Sequence, residues 1–288
     1  MTAISVVMSV YNGAATLAAT LDSVLAQTLR DFECIVVDDG STDETPSILA
    51  AYAVRDPRIR VIRQENGGIT RALIAGCDAA TSAVIARQDC GDLSRPERLA
   101  RMLPLLDTCV VAASQVIYTG PKGEPLYTTA HASNAVHHAL LHADAGTIQS
   151  LPHHGSAVFR SDTYRQCGGY RPQFYFAQDL DLWIRMAALG DICITDDVLY
   201  EARIDVRAIS SIHRQEQIAS AAVAIALRDG VGNLDDAAAI RPERRTVTRS
   251  TRAKAFYFIA SCLRRRRDPR WRGYAVRAVR TLLLGGAA

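Results

Sequence analysis

The sequence predicts an α/β fold: a mostly parallel sheet flanked by helices over residues 1–210, with a basic, helical C-terminal extension over 211–288. Three observations point there. Short apolar runs alternate with helical stretches four times within roughly the first hundred residues, the pattern of a parallel sheet joined by right-handed crossovers. The runs are continuously apolar, as strands covered on both faces are. Beyond about residue 210 the apolar period becomes helical and stays so.

Taken in order, Ile4 to Val10 is the first strand, and Tyr11-Asn12-Gly13 turns into a helix on which Leu17, Leu21, Val24 and Leu25 share a face. Phe32 to Val37 is the second strand and ends in Asp38-Asp39-Gly40. Ser41 and Glu44 then stand at capping-box spacing, with Pro46 opening a helix. Ile59 to Ile62 is the third strand, followed by Asn66-Gly67-Gly68 and a helix through Leu73, Ile74 and Cys77. Val84 begins a fourth strand that empties into Asp89-Cys90-Gly91-Asp92. Ser94, Pro96 and Glu97 repeat the capping pattern there. Val110 to Ile117 reads as a fifth strand. A variable insert with a short helix around 135–141 follows, and Ile192–Ile194 and Val198–Tyr200 read as short late strands. Helices are expected over 212–227, 233–240, 242–263 and 270–284.

Composition narrows the function classes. The first 20 residues lack a charged start followed by an apolar core, so no secretory signal is expected. No uncharged apolar run approaches the roughly 20 residues that span a bilayer. Seven scattered cysteines suit reduced, mostly buried thiols in the cytoplasm. His131, His137, His138 and His142 match no standard metal spacing and read as a polar helix face. The net charge of +3 hides a split: residues 241–280 carry +12, leaving −9 on the remainder. A basic, partly apolar helical tail suits peripheral contact with an anionic membrane, or packing on the acidic body. No nucleic-acid recognition motif accompanies the charge, so nucleic acid is not an expected partner.

Two strands end in acidic turns, and in a parallel sheet such ends share one edge, where ligands bind. Asp38, Asp39, Asp89 and Asp92 are therefore expected to converge and to need a divalent cation or ligand donors as partners. Asp179 and Asp181 flank Leu180 at a helix start and cannot face the same way, so at most one serves chemistry. The other is expected to bind backbone or Arg185.

Several separated stretches, in order, resemble the inverting family 2 glycosyltransferases of the GT-A fold over roughly residues 3–210. They are Val6 to Gly13, Gln27-Thr28, Val36 to Asp43, Asn66-Gly67-Gly68 with Arg71, Val84 to Leu99, Gly168-Gly169-Tyr170-Arg171, and Gln178 to Trp183. The resemblance implies transfer from a UDP- or dTDP-linked nucleotide-sugar donor to a polysaccharide or lipid-linked acceptor. It implies that Val10 and Tyr11 line the base pocket, that Asp39 accepts a hydrogen bond from the base, and that Arg71 lies near the nucleotide. Asn12, Asp89 and Cys90 would complete the donor site, and Asp179 stands at the position of the catalytic base. A divalent cation, Mg²⁺ or Mn²⁺, normally neutralises the leaving diphosphate. Two positions depart from the family pattern. Gly91 replaces the usual metal-ligand aspartate, and Ile204-Asp205 follow Arg203 where a histidine often stands two residues after the arginine. Three readings stay open: Asp89, Asp92 and Asp205 hold the metal in an altered arrangement, basic side chains replace it, or the chain binds donor without catalysis.

Overall fold

The computed structural model describes residues 2–144, 151–204, 213–242 and 249–284. Four strands form the parallel unit: β1 (Ile4–Val10), β2 (Phe32–Asp38), β3 (Ile59–Arg63) and β4 (Val84–Asp89). They lie in the order β3-β2-β1-β4, in register from Ile4 opposite Phe32 to Val10 opposite Asp38. Helices α1 (Leu17–Leu25), α2 (Thr45–Arg55) and α3 (Ile69–Asp78) are the crossovers. The two faces of β1 feed different cores, as a period of two requires. Val7 packs with Ile35 and Leu73 on one side, and Val6 and Met8 pack with Leu17 and Leu21 on the other.

The second half of the sheet is mixed. After β5 (Leu93–Ser94) and α4 (Arg98–Met102) come β6 (Val111–Thr119), β7 (Pro125–Thr128), α5 (Ser133–His142), β8 (Val158–Arg160), α6 (Ser161–Gln166), α7 (Gln178–Ala187) and β9 (Ile192–Arg203). Strand β8 runs antiparallel between β4 and β6, while β9 is parallel to β6 and antiparallel to β5. The two late strands expected from sequence are one strand. Its break is a bulge, with Ser114 opposite Thr195 but Gln115 already opposite Val198.

Neither expected capping box forms. Helix α2 starts at Thr45 with no side-chain cap, and Ser41 Oγ instead accepts the Asn12 N–H at 2.9 Å. Ser94 sits in β5, four residues before α4, and its hydroxyl donates to Gln88 Oε1 at 2.7 Å. Tertiary partners outcompeted the local ones in both cases.

The chain continues through α8 (Arg214–Arg228), α9 (Leu234–Ala239), α10 (Arg249–Arg265) and α11 (Trp271–Leu284). Ala224 and Ile225 of α8 share a core with Trp183 of α7. Phe256, Ile259 and Leu263 of α10 and Tyr274 of α11 pack on Leu126 of β7. No described helix is long and apolar enough to cross a membrane. All seven cysteines are free thiols.

Candidate active site at the carboxyl edge of the sheet

Strand β1 stands between β2 and β4. The two acidic turns therefore share an edge but lie about two strand spacings, roughly 10 Å, apart, and do not make one cluster. Each builds its own corner.

At the β2 corner, Asp39 is buried and its carboxylate accepts three hydrogen bonds. Gln64 Nε2 (2.7 Å) and Gly67 N (2.9 Å) reach Oδ1, and Gly68 N (2.9 Å) reaches Oδ2. This ties the Asn66–Gly68 turn to the end of β2 and leaves about one acceptor position free. Val10 is buried at the end of β1, and Tyr11 beyond it is 53% exposed. Asn12 adopts a left-handed φ of 51° and its Oδ1 accepts the Thr42 N–H at 2.8 Å. Arg71 is exposed on α3, its stem against Gly67.

The β4 corner has a different chemistry. Arg87 is fully buried and donates to Val7 O, to His154 Nε2 (3.2 Å) and to Asp89 Oδ1 (2.8 Å). Arg98, also buried, donates to Arg87 O (2.6 Å), Gly155 O (2.9 Å) and Ser94 Oγ (2.8 Å), and lies over the Tyr200 ring. Two guanidinium groups thus stand beneath the carboxylates. Burial pushes Asp89 up, but the guanidinium groups, Arg87 foremost and then Arg98, outweigh it and hold this carboxyl below its ordinary value. Asp92 moves the other way: burial and then the Asp89 charge push it well up, against the Arg203 N–H that its Oδ1 accepts at 3.0 Å. The two carboxyls are thus pushed in opposite directions, and a bound cation would favour the charged form of Asp92.

His153 completes the corner, a residue that sequence reading passed over. It lies 4.0 Å from Asp92 through Nε2, between the rings of Tyr118 and Tyr200. Burial keeps it neutral by pushing its pKa down, and its Nδ1 is buried without a hydrogen-bond partner. Ligand atoms of Asp89, Asp92 and His153 lie within 4.8 Å of one another. Two carboxylates and an unpartnered neutral imidazole fit Mn²⁺ or Mg²⁺. Asp205 lies outside the described residues.

Gly91 has a φ of +104°, which an aspartate there would adopt only under strain. The Cys90 thiol, raised to about 11 by burial, lies 3.8 Å from Thr16 Oγ1. Gly155 lets two chains meet: a Cβ there would overlap the Tyr200 hydroxyl and come within 2.9 Å of Asp89 Oδ2. That hydroxyl accepts the Asp89 N–H at 3.1 Å and so fixes the turn.

Helix α7 supplies the third carboxylate. Ala177, just before it, takes a left-handed φ of 53°. Asp179 Oδ1 accepts the Leu180 N–H at 2.9 Å. Burial raises the Asp179 carboxyl, the backbone hydrogen bonds oppose this, and the Asp89 charge adds to the rise. Asp181 points elsewhere, to Arg171 (3.1 Å) and Arg185 (Nε, 3.1 Å). It is the structural member of the pair.

The histidines of the insert lie elsewhere: the His138 and His142 rings meet at a tilt with centroids 4.7 Å apart, His137 lies 3.9 Å from Asp191, and the His131 backbone bonds the Gln115 side chain.

A sheet of this topology with acidic strand ends is the GT-A architecture of glycosyltransferases, and solved structures of that class superpose on the whole chain. The mannosyltransferase PcManGT from Pyrobaculum calidifontis, in complex with GDP-Man and Mn²⁺, covers 99% of this chain and 88% of its own, with a TM-score of 0.62 at 20% identity. S. aureus TarS 1–349 in complex with UDP-GlcNAc covers 97% of this chain and 90% of its own, with a TM-score of 0.58 at 16% identity. Residues 5–166 match the family model for glycosyl transferase family 2, and the chain belongs to that family. It is 30% identical to the amylovoran biosynthesis glycosyltransferase AmsE of Erwinia amylovora, over 69% of this chain and 75% of that protein. It is 27% identical to the uncharacterized glycosyltransferase RP339 of Rickettsia prowazekii, over 70% of this chain and 64% of that one. The chain thus spans about two thirds of the length of such relatives.

Proposed function

We propose that this family 2 glycosyltransferase moves a sugar, with inversion, from a UDP- or dTDP-linked donor to a hydroxyl of a polysaccharide or lipid-linked acceptor in the cytoplasm. Residues 1–210 form the catalytic unit in this reading, and 211–288 a helical extension packed on it. One observation carries it: Asp89, Asp92 and His153 bring their ligand atoms within 4.8 Å of one another at the carboxyl edge of the sheet, and Asp179, whose carboxyl burial raises, feels the charge of Asp89. The relatives support the substrate class, since UDP-GlcNAc and GDP-Man are the ligands of the two neighbouring structures.

Asp179 is the general base. Its raised pKa makes it the stronger proton acceptor, and it takes the acceptor hydroxyl proton as that oxygen attacks the anomeric carbon. A single base suffices for one displacement with inversion. The leaving nucleoside diphosphate departs toward the β4 corner, where Asp89, Asp92 and His153 would hold a divalent cation. Bound there, the cation supplies charge neutralisation for the diphosphate. On the β2 side, Val10, Tyr11, Asn12 and Asp39 receive the base, with Arg71 and Cys90 at the margins of the donor. The remaining acceptor position on Asp39 suits one base N–H.

Asp179→Asn tests the reading. Transfer is expected to fall by about 10²–10⁴-fold, while donor binding, followed by thermal shift with a panel of nucleotide sugars, stays intact. Unchanged turnover would remove Asp179 from the mechanism. Donor binding by the parent protein with no turnover on any acceptor pool would favour a binding protein that has lost catalysis, the reading to which Gly91 lends weight.

A further inference from the structure

Helices α10 and α11 have an inner face that is fully spent and an outer face that is not. Their inner faces pack on Leu126 of β7, and the turn between them, residues 266–270, grips that strand. Arg266 donates to Thr128 O at 3.0 Å and lies over the Tyr127 ring, while Arg270 donates to Pro125 O (2.6 Å) and Leu126 O (3.1 Å). These bonds occupy an edge strand's open carbonyls, and with Tyr274 on Glu124 they fix the rotation of α11. Its outer face is therefore set. Val276, Val279 and Leu283 recur there at helical spacing and are 50%, 55% and 70% exposed. Arg272 and Arg280 border this stripe. Across residues 249–284 the one acidic residue is Asp268, already paired with Arg270.

We infer that the outer face of α11 docks on an anionic lipid bilayer, lying in the interface rather than crossing it. Aliphatic side chains bordered by arginines suit the headgroup boundary: the aliphatic groups enter the acyl region while the guanidinium groups stay at the phosphates. A protein partner is the poorer fit. A stable protein interface buries upwards of about 1,000 Å² with a low-charge centre, and the four exposed aliphatic residues of α11, Leu282 among them, offer a fraction of that. The turn that seats α11 is also tied to the candidate active site. Tyr127, under Arg266, stacks on Tyr118 at 4.7 Å, and Tyr118 meets the His153 ring at 5.8 Å. Docking would thus hold the β4 corner close to the bilayer, and this inference stands whether or not the donor reading holds.

The test is vesicle sedimentation of the full chain with phosphatidylcholine vesicles, alone or containing about one third phosphatidylglycerol. The protein is expected to pellet with the anionic vesicles only. Arg272→Glu with Arg280→Glu should lower the partition coefficient at least about 30-fold, since each arginine contributes about one kcal/mol at such a surface. Val276→Asp with Leu283→Asp should lower it by at least as much. Both double variants replace exposed residues and are expected to keep the parent unfolding temperature. Parent protein left in the supernatant, or pelleting unchanged by either pair, would overturn the inference. So would a dimer in solution that the Val276→Asp, Leu283→Asp variant dissociates.

Discussion

The two acidic turns look alike as text and behave as opposites in space. Asp38-Asp39-Gly40 ends β2 and Asp89-Cys90-Gly91-Asp92 ends β4. Asp39 accepts three hydrogen bonds from one neighbouring turn, which leave it about one acceptor position. Asp89 has one oxygen held by Arg87 and Asp92 one held by the Arg203 N–H, with the Tyr200 hydroxyl also acting on Asp92, and the two lie beside each other and an imidazole whose Nδ1 has no partner. A carboxylate with most of its positions met by donors stabilises the fold. A carboxyl pushed up by burial and a neighbouring charge, as Asp92 is, has a penalty that a ligand can relieve. Unmet hydrogen-bonding capacity, more than acidity, separates a ligand site from a structural turn.

The largest expected effect is on the open turn. Asp92→Asn should weaken Mn²⁺ binding, followed by calorimetric titration, by at least about 100-fold, above what loss of a supporting partner costs. The unfolding free energy of the metal-free protein should not fall, because burial and Asp89 both oppose a charge at Asp92. Asp39→Asn should do the reverse. It turns an amide toward three donors and should cost about 2–3 kcal/mol in urea unfolding, with Mn²⁺ affinity held within about twofold of the parent. If both variants lose metal alike, the contrast between the turns is wrong. Gly91→Asp comes next. It restores the family residue type on a φ of +104°, and should cost about 1–3 kcal/mol without tightening Mn²⁺. A gain in affinity would show that position 91 can still supply a ligand.

Much of this was legible in the residues, and the missing part has a common cause. The parallel unit follows from four apolar runs and their crossovers, which are local signals. The split between Asp179 and Asp181 follows from helical geometry, and Arg185 is indeed a partner of Asp181. His153 carried no such signal. It becomes a site residue because β8 returns antiparallel to β4, with Arg87 N–H donating to Ala157 O at 2.8 Å, which lays residues 153–157 beside 87–89. Its neighbour His154 is used differently, accepting from Arg87 and held at about 3 by burial and then by that guanidinium. Only the long-range pairing tells the two apart. The Gly155 that follows them was the available hint, a residue without a Cβ at a place of close approach. Arg87 and Arg98 were hidden for a related reason: arginine reads as a surface residue, and their acceptors include three backbone carbonyls that sequence does not display.

The smallest effect concerns a carboxylate at the other end of the same strands. Glu33 is buried near the start of β2, where Oε1 accepts Ser5 Oγ (2.6 Å), Thr81 Oγ1 (2.6 Å) and Thr81 N (2.9 Å), and Oε2 accepts Arg60 NH1 (2.6 Å). Burial pushes its pKa up, but these donors outweigh it and hold it at about 2, against an ordinary 4.5. A carboxyl lowered on folding stabilises the protein above its unfolded pKa, and loses that contribution as pH falls through its folded one. Glu33 should therefore support the fold fully above pH 4.5 and progressively less toward about 2. Because Arg60 is 47% exposed and solvent screens it, Glu33→Gln should cost only about 1–2 kcal/mol near neutral pH. In urea unfolding, the gap between variant and parent should narrow on acidification. A gap that stays constant with pH would mean that packing, rather than charge, holds Glu33 in place. It would also weaken the rule drawn from Asp39, that a carboxylate surrounded by donors stabilises the fold through them.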